Sequence, residues 1–432
     1  MKYSALVDYV SLAQAHCFHP VTVSFRDRAQ VLWVNQSERR NIAACLGLPE
    51  SSDIEKAILE NFSYTVCTNA SKGGDETVFY ADYYGSSGVT YFGGSGRAAC
   101  TRGAQVKGVG KTPLISDYTN WFHSHGCVFL SEALREVVYS KIIGHRLPHG
   151  AVPYWAIIDC NEEVELPGGG IERRALLVRP FVLRPAHIER ALGFGHPKDA
   201  FARSFHTADI ERVKTWIPIA FPDGQASLEN LARNLAEQCA YCHLNHWYHG
   251  GWFSSVTDIH GRLMDFGSTR QADSWLRKNF EPGEPPFGSE RDYCINTLRS
   301  IGFSLECYGS CRGVDMGSVI GVFMTSYADY LENNIVSPLK NGLLKNCISD
   351  KFLAAFALAQ RSLRRSDALK YERDFFSNLS VAPPRALLKN LSREVVDNDA
   401  KLLGAQLEPF RAQSAVDSMI DGYLHEMVGE LS

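Results

Sequence analysis

The feature that most narrows the fold is a change of hydrophobic period part-way along the chain. Up to about residue 183, apolar side chains mostly alternate in short runs punctuated by glycine, the pattern of half-buried strands. Val21–Phe25 and Val31–Val34 alternate this way, and residues 76–110, rich in Gly, Tyr and Val, predict strands joined by glycine turns. A hairpin is expected next, with strands Tyr154–Asp159 and Arg174–Leu183 and its turn at Pro167–Gly170. Helical spacing interrupts this region at Ser52–Phe62 and Ser131–Ile143. Beyond it the pattern is mostly helical: Ser227–Trp247, Asp292–Tyr308, Val319–Asn333, Asp350–Arg364 and a final pair from about Arg385. The Pro/Gly loop Glu281–Gly288 separates two of these helices. Strands gathered first and helices afterwards predict an α+β fold.

A chain of 432 residues suits two or three packed units. With 44 Lys+Arg against 48 Asp+Glu the net charge is −4, so no bulk attraction to nucleic acid is expected. The first residues, MKYSALVDYVSLAQAHCF, lack the long apolar core of a secretory signal. No stretch approaches the ~18 uncharged apolar residues of a membrane span, and the longest apolar run, near Ser318–Met324, suits a buried segment. The 12 cysteines are therefore read as reduced thiols of a cytoplasmic protein. Cys239-Ala-Tyr-Cys242-His243 has the spacing of a haem-attachment motif, but that chemistry needs an exported chain. A zinc site would need a second ligand pair, and Cys307/Cys311 is the only other close cysteine pair. These cysteines are expected on a packed core helix.

Chemistry concentrates in Gly93–Gly110, GGSGRAACTRGAQVKGVG. Without Cβ atoms, the Gly94-Ser95-Gly96 turn lets backbone N–H groups approach phosphate oxygens, and Arg97 adds a bidentate cation. Gly110-Lys111-Thr112 is not a Walker A loop: Gln105 stands where its first glycine belongs, and Pro113 follows instead of a helix. Lys107, at the end of the alternating run Ala104–Lys107, is placed like the phosphate-pairing lysine of kinases. Its anionic partner is expected on the following helix, where Glu132 and Glu136 share a face. Glu136, before Val137-Val138, is expected near the core, and Glu132 is expected to be solvated.

The sharpest motif is Asp265-Phe266-Gly267 after the apolar run Leu263-Met264. An aspartate so placed is how kinase-like proteins present a carboxylate to the metal that bridges nucleotide phosphates. His249-Gly250 lies sixteen residues earlier, where a catalytic loop is expected. The loop reads His249-Gly-Gly-Trp-Phe-Ser254-Ser255-Val256-Thr257-Asp258 and lacks the usual base aspartate and metal-binding asparagine.

These blocks together resemble the selenoprotein O family of kinase-fold protein adenylyltransferases. Gly94-Ser-Gly-Arg97 is similar to the family's G-D-G-R, and Lys107–Pro113 to its K-G-x-G-x-T-P. Leu134-Arg-Glu136 resembles its I-R-E helix. Ala175–Arg179 with Pro185–Arg190 resembles V-R-V-A-P-S-H-x-R. His249-Gly250 and Asp265-Phe-Gly267 match its H-G-V-M-N-T-D-N and D-Y-G blocks. The likeness covers about residues 80–310. It implies a bilobal kinase-like fold with a strand-rich N-lobe (1–165), a helical C-lobe (166–334) and a helical extension (335–432). It also implies ATP bound in an orientation inverted relative to kinases, with AMP passed to a protein or peptide hydroxyl and Mg²⁺ or Mn²⁺ assisting. Gly94, Ser95, Gly96, Arg97 and Gly126 would hold nucleotide, although His125 replaces the aspartate of the family's Asp-Gly pair. Lys107 would contact phosphate and pair with Glu136. Arg179 and Arg190 would grip the pyrophosphate end, with Arg184 a rival for the second place. Asp265 would bind metal.

Counting back from Asp265, Ser255 takes the place of the family's catalytic aspartate and Val256 that of its metal-binding asparagine. A shorter loop would let Ser254 or Ser255 face the metal and put Asp258 in the base role. Two alternatives stay open: a nucleotide-binding pseudoenzyme acting as a partner subunit, and a kinase-like enzyme of peptide maturation.

Overall fold

The computed structural model describes residues 8–67, 75–85, 93–115, 121–191, 200–245, 247–271, 287–310, 313–331, 333–334 and 412–429. In chain order the elements begin with α1 (Tyr9–Gln14), β1 (Phe18–Phe25), β2 (Gln30–Val34), α2 (Arg39–Leu46), α3 (Ile54–Phe62), β3 (Tyr64–Val66) and β4 (Glu76–Asp82). Next come β5 (Ala98–Thr101), β6 (Ala104–Lys107), α4 (Trp121–Ser124), β7 (Val128–Phe129), α5 (Leu130–Gly144), β8 (Ala156–Glu165) and β9 (Ile171–Pro180). The rest is mainly helical: α6 (Ala200–Ala220), α7 (Gln225–Leu244), the short strands β10 (Trp247–Tyr248) and β11 (Arg270–Gln271), α8 (Glu290–Tyr308), α9 (Met316–Leu331) and α10 (Ala412–Gly429). The fold is α+β, with a sheet-rich N-terminal part and a helical C-terminal part.

Local chemistry sets several of these boundaries. The Asp53 carboxylate accepts from the Lys56 amide and starts α3, and Gly47 in the left-handed conformation ends α2. Strands β1–β9 form one sheet in the order β2-β8-β9-β6-β5-β4-β1-β3, with β7 also paired to β9. Alternation along the strands gives the sheet two buried faces. Val21, Val23, Ile158, Leu176 and Val178 join a core with α2 and α3. Phe18, Leu32, Ile157 and Leu177 join a larger core with α5 and the C-terminal helices.

The expected boundary at 165/166 is corrected. It falls in the turn of the β8–β9 hairpin, whose strands pair from Ala156↔Val178 to Glu165↔Ile171, so the sheet-rich part runs to Pro180. Helix α7 stops at Leu244, short of the expected Trp247, because Trp247 and Tyr248 pair with Gln271 and Arg270. Helix α6 has no counterpart in the sequence reading; its Pro218 and its polar Ser, His, Thr and Asp residues obscure the period. The helix expected at 350–364 and most of the extension after 335 lie outside the described residues. Among the described residues no helix is long and apolar enough to cross a membrane.

Helix α10 packs back on the sheet instead of standing apart from it. The Val34 amide donates to Gln413 Oε1 (2.6 Å) and the Val34 carbonyl accepts from Gln413 Nε2 (3.1 Å). Trp33 Nε1 donates to Asp417 Oδ1 (2.9 Å). The side chains of α10 thus cover β2, which ends the sheet order and would otherwise present unpaired backbone. Val416, Ile420 and Tyr423 are buried beneath them. Ile420→Ala should lower unfolding free energy by about 2–5 kcal/mol through lost burial and a residual cavity, read from the urea midpoint.

Candidate functional site

The glycine turn before β5 is held from behind. Gly93 and Gly94 have φ of +80° and +99°, and a Cβ on Gly94 would stand 2.5 Å from the Asp82 carbonyl oxygen. The Ser95 amide donates to that carbonyl (2.9 Å), and the Ser95 carbonyl accepts from the Thr112 hydroxyl (2.7 Å). The Gly96 carbonyl accepts from the Thr112 amide (3.0 Å). Arg97 is already engaged: it donates to both Glu132 oxygens (2.7 and 3.2 Å) and to the Cys127 carbonyl (2.9 Å). Glu132, expected in solvent, has a side chain only 16% exposed. Burial opposes its ionisation, but Arg97 and Lys107 prevail and hold its pKa down at about 2. Gly126 packs at a close backbone approach: at φ +80° its Cβ would stand 2.4 Å from the Lys111 nitrogen.

Lys107 ends β6 facing α5, and its Nζ donates to Glu136 Oε1 (2.9 Å) and Asp265 Oδ1 (3.3 Å). Glu136 is 1% exposed, and its Oε2 accepts from the Tyr154 hydroxyl (2.6 Å) and the Phe266 amide (2.7 Å). The expected lysine–glutamate pair therefore meets, and the same glutamate grips the turn after Asp265. Asp265 sits at φ +61°, ψ +64°, a conformation that costs a non-glycine residue on the order of 1–3 kcal/mol. Phe266 anchors it in the larger core, edge-on to His249, whose Nε2 donates to the Met264 carbonyl (2.9 Å).

Asp265 Oδ1 also accepts from Arg179 Nη1 (2.8 Å). Burial raises the pKa of Asp265, but Arg179 and Lys107 outweigh it and hold the carboxyl well below its ordinary range. The same charges act in reverse on Lys107: burial favours its neutral form, and Glu136 and Asp265 keep it protonated. The sequence reading left Arg184 and Arg190 as rivals, and the geometry separates them. Arg184 Nη2 donates to Gln105 Oε1 (3.1 Å), which also accepts from Arg179 Nε and Nη2 (3.0 and 2.8 Å). The Arg184 guanidinium stacks on Tyr84 at 4.9 Å and donates to the Ser255 carbonyl (3.2 Å). Arg190 instead pairs with Asp209 (2.5 Å) and donates to the Tyr308 hydroxyl (2.9 Å).

Sequence reasoning missed Gln105 and Asp82, which join these groups. Gln105 Nε2 donates to Asp82 Oδ1 (3.0 Å), and Asp82 also takes His187 (3.2 Å). The available signal was a glutamine between Ala104 and Val106 in a strand segment, where a polar side chain that is buried must find partners.

Several polar groups of the 249–258 loop are engaged. The Ser254 hydroxyl donates to Glu189, and the Ser255 carbonyl is held by Arg184. Asp258, 1% exposed, accepts through Oδ1 from the His260 and Arg262 amides (2.9 and 2.8 Å) and through Oδ2 from Arg262 Nε (2.7 Å). Its carboxylate closes the 258–262 turn. Comparison with protein-family models and with curated proteins gives no match.

The Glu132 pKa is lowered on folding, so its stabilising effect is full above the ordinary carboxyl value, near 4.5, and is lost as pH falls through about 2. Urea midpoints measured from pH 6 down to about pH 2 should fall for the wild type. Glu132→Gln should flatten that decline and be less stable than the wild type at pH 6.

Proposed function

We propose that the chain has a bilobal kinase-like arrangement, binds ATP between its sheet-rich and helical parts, and transfers AMP to a hydroxyl of a protein or peptide, as its resemblance to selenoprotein O implies. The observation that carries this reading is the convergence of two buried cations, Lys107 and Arg179, on the Asp265 carboxylate, with Lys107 oriented by Glu136. A protein interior stabilises such charge poorly unless each group is paired. A polyphosphate chain would supply the negative charge that Lys107 and Arg179 now take from Asp265. Arg184 stands with Arg179 on Gln105 and is the better second pyrophosphate contact.

The donor chemistry at Asp265 fits a hard cation. Mg²⁺ and Mn²⁺ are commonly held by one or two carboxylates together with substrate phosphates, and Asp265 is ionised with its side chain 24% exposed. Asp265 would hold that ion, which neutralises charge on the phosphates. Glu136 locks Lys107 and the Phe266 amide into one frame, so both cations need little reorganisation on binding nucleotide. With Asp258 and Ser254 engaged elsewhere, the chain contributes positioning and charge stabilisation rather than a base from this loop, as phosphoryl-type transfers permit.

That engagement also favours a second reading, in which the chain binds nucleotide without turnover and serves as a partner subunit. ATP with Mn²⁺ should raise the melting temperature of the wild type and leave Asp265→Ala unshifted; an unshifted wild type overturns both readings. Given binding, protein labelled from α-³²P-ATP supports AMP transfer, label from γ-³²P-ATP alone points to phosphate transfer, and no label leaves the binding subunit. Lys107→Ala should weaken ATP binding about tenfold or more, the loss expected for a charge-assisted contact, as read by calorimetric titration.

A further inference from the structure

Two buried guanidiniums share one neutral acceptor. Gln105 Oε1 accepts from Arg179 Nε and Nη2 (3.0 and 2.8 Å) and from Arg184 Nη2 (3.1 Å). None of the three residues is more than 4% exposed. The contact with Arg179 is built into the sheet, because β6 and β9 pair with Gln105 directly opposite Arg179. Lys107 follows two residues along β6 and therefore lies on the same face as Gln105.

A carboxylate is the usual partner of a buried cation, since it offsets the charge. An amide oxygen takes the same N–H bonds and offsets none of it. The orientation of this amide follows from its partners. Gln105 Nε2 donates to Asp82 Oδ1 (3.0 Å), and a flipped amide would set N–H donors against two guanidiniums. Asp82 in turn lies 3.2 Å from His187 Nε2 and 3.5 Å from Arg184 Nη2. Burial raises the Asp82 pKa, but His187 and Arg184 outweigh it and keep the carboxyl ionised. Arg179 Nη1 goes on to Asp265 (2.8 Å) and Arg184 Nη1 to the Ser255 carbonyl (3.2 Å). Arg184 Nε is buried with no hydrogen-bond partner among the described residues, so this guanidinium has bonding capacity left.

We propose that Gln105 is the positioning residue of the phosphate site: it holds Arg179 and Arg184 side by side and leaves both charges available to a pyrophosphate group. This rests on the reading of the site as one for ATP. With Asp265 turned to a metal ion, Arg179 gives up its carboxylate partner, and Gln105 still holds its Nε and Nη2. Adjacent phosphoryl groups offer oxygens to both guanidiniums, a pairing that the planar fork of arginine suits. A glutamate at position 105 would keep the contacts to the arginines, but its charge would offset one of them and oppose the incoming anion.

The test titrates the full chain with pyrophosphate, ATP and adenosine by calorimetry, each in the presence of Mn²⁺. Relative to the wild type, Gln105→Glu should lose about tenfold or more in affinity for pyrophosphate and ATP, the loss of one charge-assisted contact, and bind adenosine unchanged. A purely structural defect would not single out the two phosphate ligands. A variant that binds pyrophosphate and ATP as the wild type does, or that loses adenosine by the same factor, overturns the proposal. If Gln105→Glu does not fold, because its second oxygen faces Asp82, Arg184→Lys takes its place. That variant keeps the charge and loses the fork, so its pyrophosphate affinity should also fall about tenfold, and an unchanged affinity overturns the proposal. A wild type that binds pyrophosphate but not ATP overturns the nucleotide reading alone, and Gln105→Glu is then judged on pyrophosphate by the same factor. A wild type that binds neither overturns both.

Discussion

The arrangement around Lys107 is the constraint on which much of the structure depends. An ammonium, a guanidinium and two carboxylates lie within hydrogen-bonding range in the interior, each from a different part of the chain. Singly, any of them would be expelled to water or neutralised. Together, at 3 to 4 Å and an effective dielectric of about 20, each contact is worth several kcal/mol before desolvation is subtracted. The cluster therefore holds only if β6, β9, α5 and the turn at Asp265 stand in one geometry. Glu136 carries most of that requirement, because its two oxygens bind Lys107, Tyr154 and the Phe266 amide at once. The left-handed backbone at Asp265 is tolerated because Phe266 is buried and its amide is held.

The polar groups around this cluster divide into two kinds. Gln105, Asp82, Arg184 and His187 form a buried network joined by hydrogen bonds. Asp258, Ser254 and Arg190 also look reactive in sequence; they close a turn, pair with Glu189 and pair with Asp209. A functional group that is paired by its own fold is held in place by it.

Much of the fold was legible in the sequence, because periodicity reports directly on which faces are buried. The strands at Val21–Phe25 and Val31–Val34 and helices α5, α7, α8 and α9 follow the period of their apolar residues. The misses have identifiable causes. Helix α6 carries Pro218 and a polar composition that blurs its period. The 165/166 boundary failed because a hairpin keeps both of its strands in one sheet, which a change of composition along the chain does not reveal. Glu132 was expected in solvent because spacing alone shows that it shares a face with Glu136 and not which way that face points.

By itself the sequence determined the element types, the α+β class, and the candidate pairs Lys107–Glu136 and Asp265–Phe266, since these rest on local spacing and residue chemistry. Only the tertiary structure decided which charges meet. It put Arg184 beside Arg179 on Gln105, paired Arg190 with Asp209, and set Glu290 against His243. The physical reason is the same in each case: a hydrogen bond or ion pair needs an approach within about 3 Å. Between residues tens of positions apart, that distance is fixed by packing and carries no trace in the local sequence.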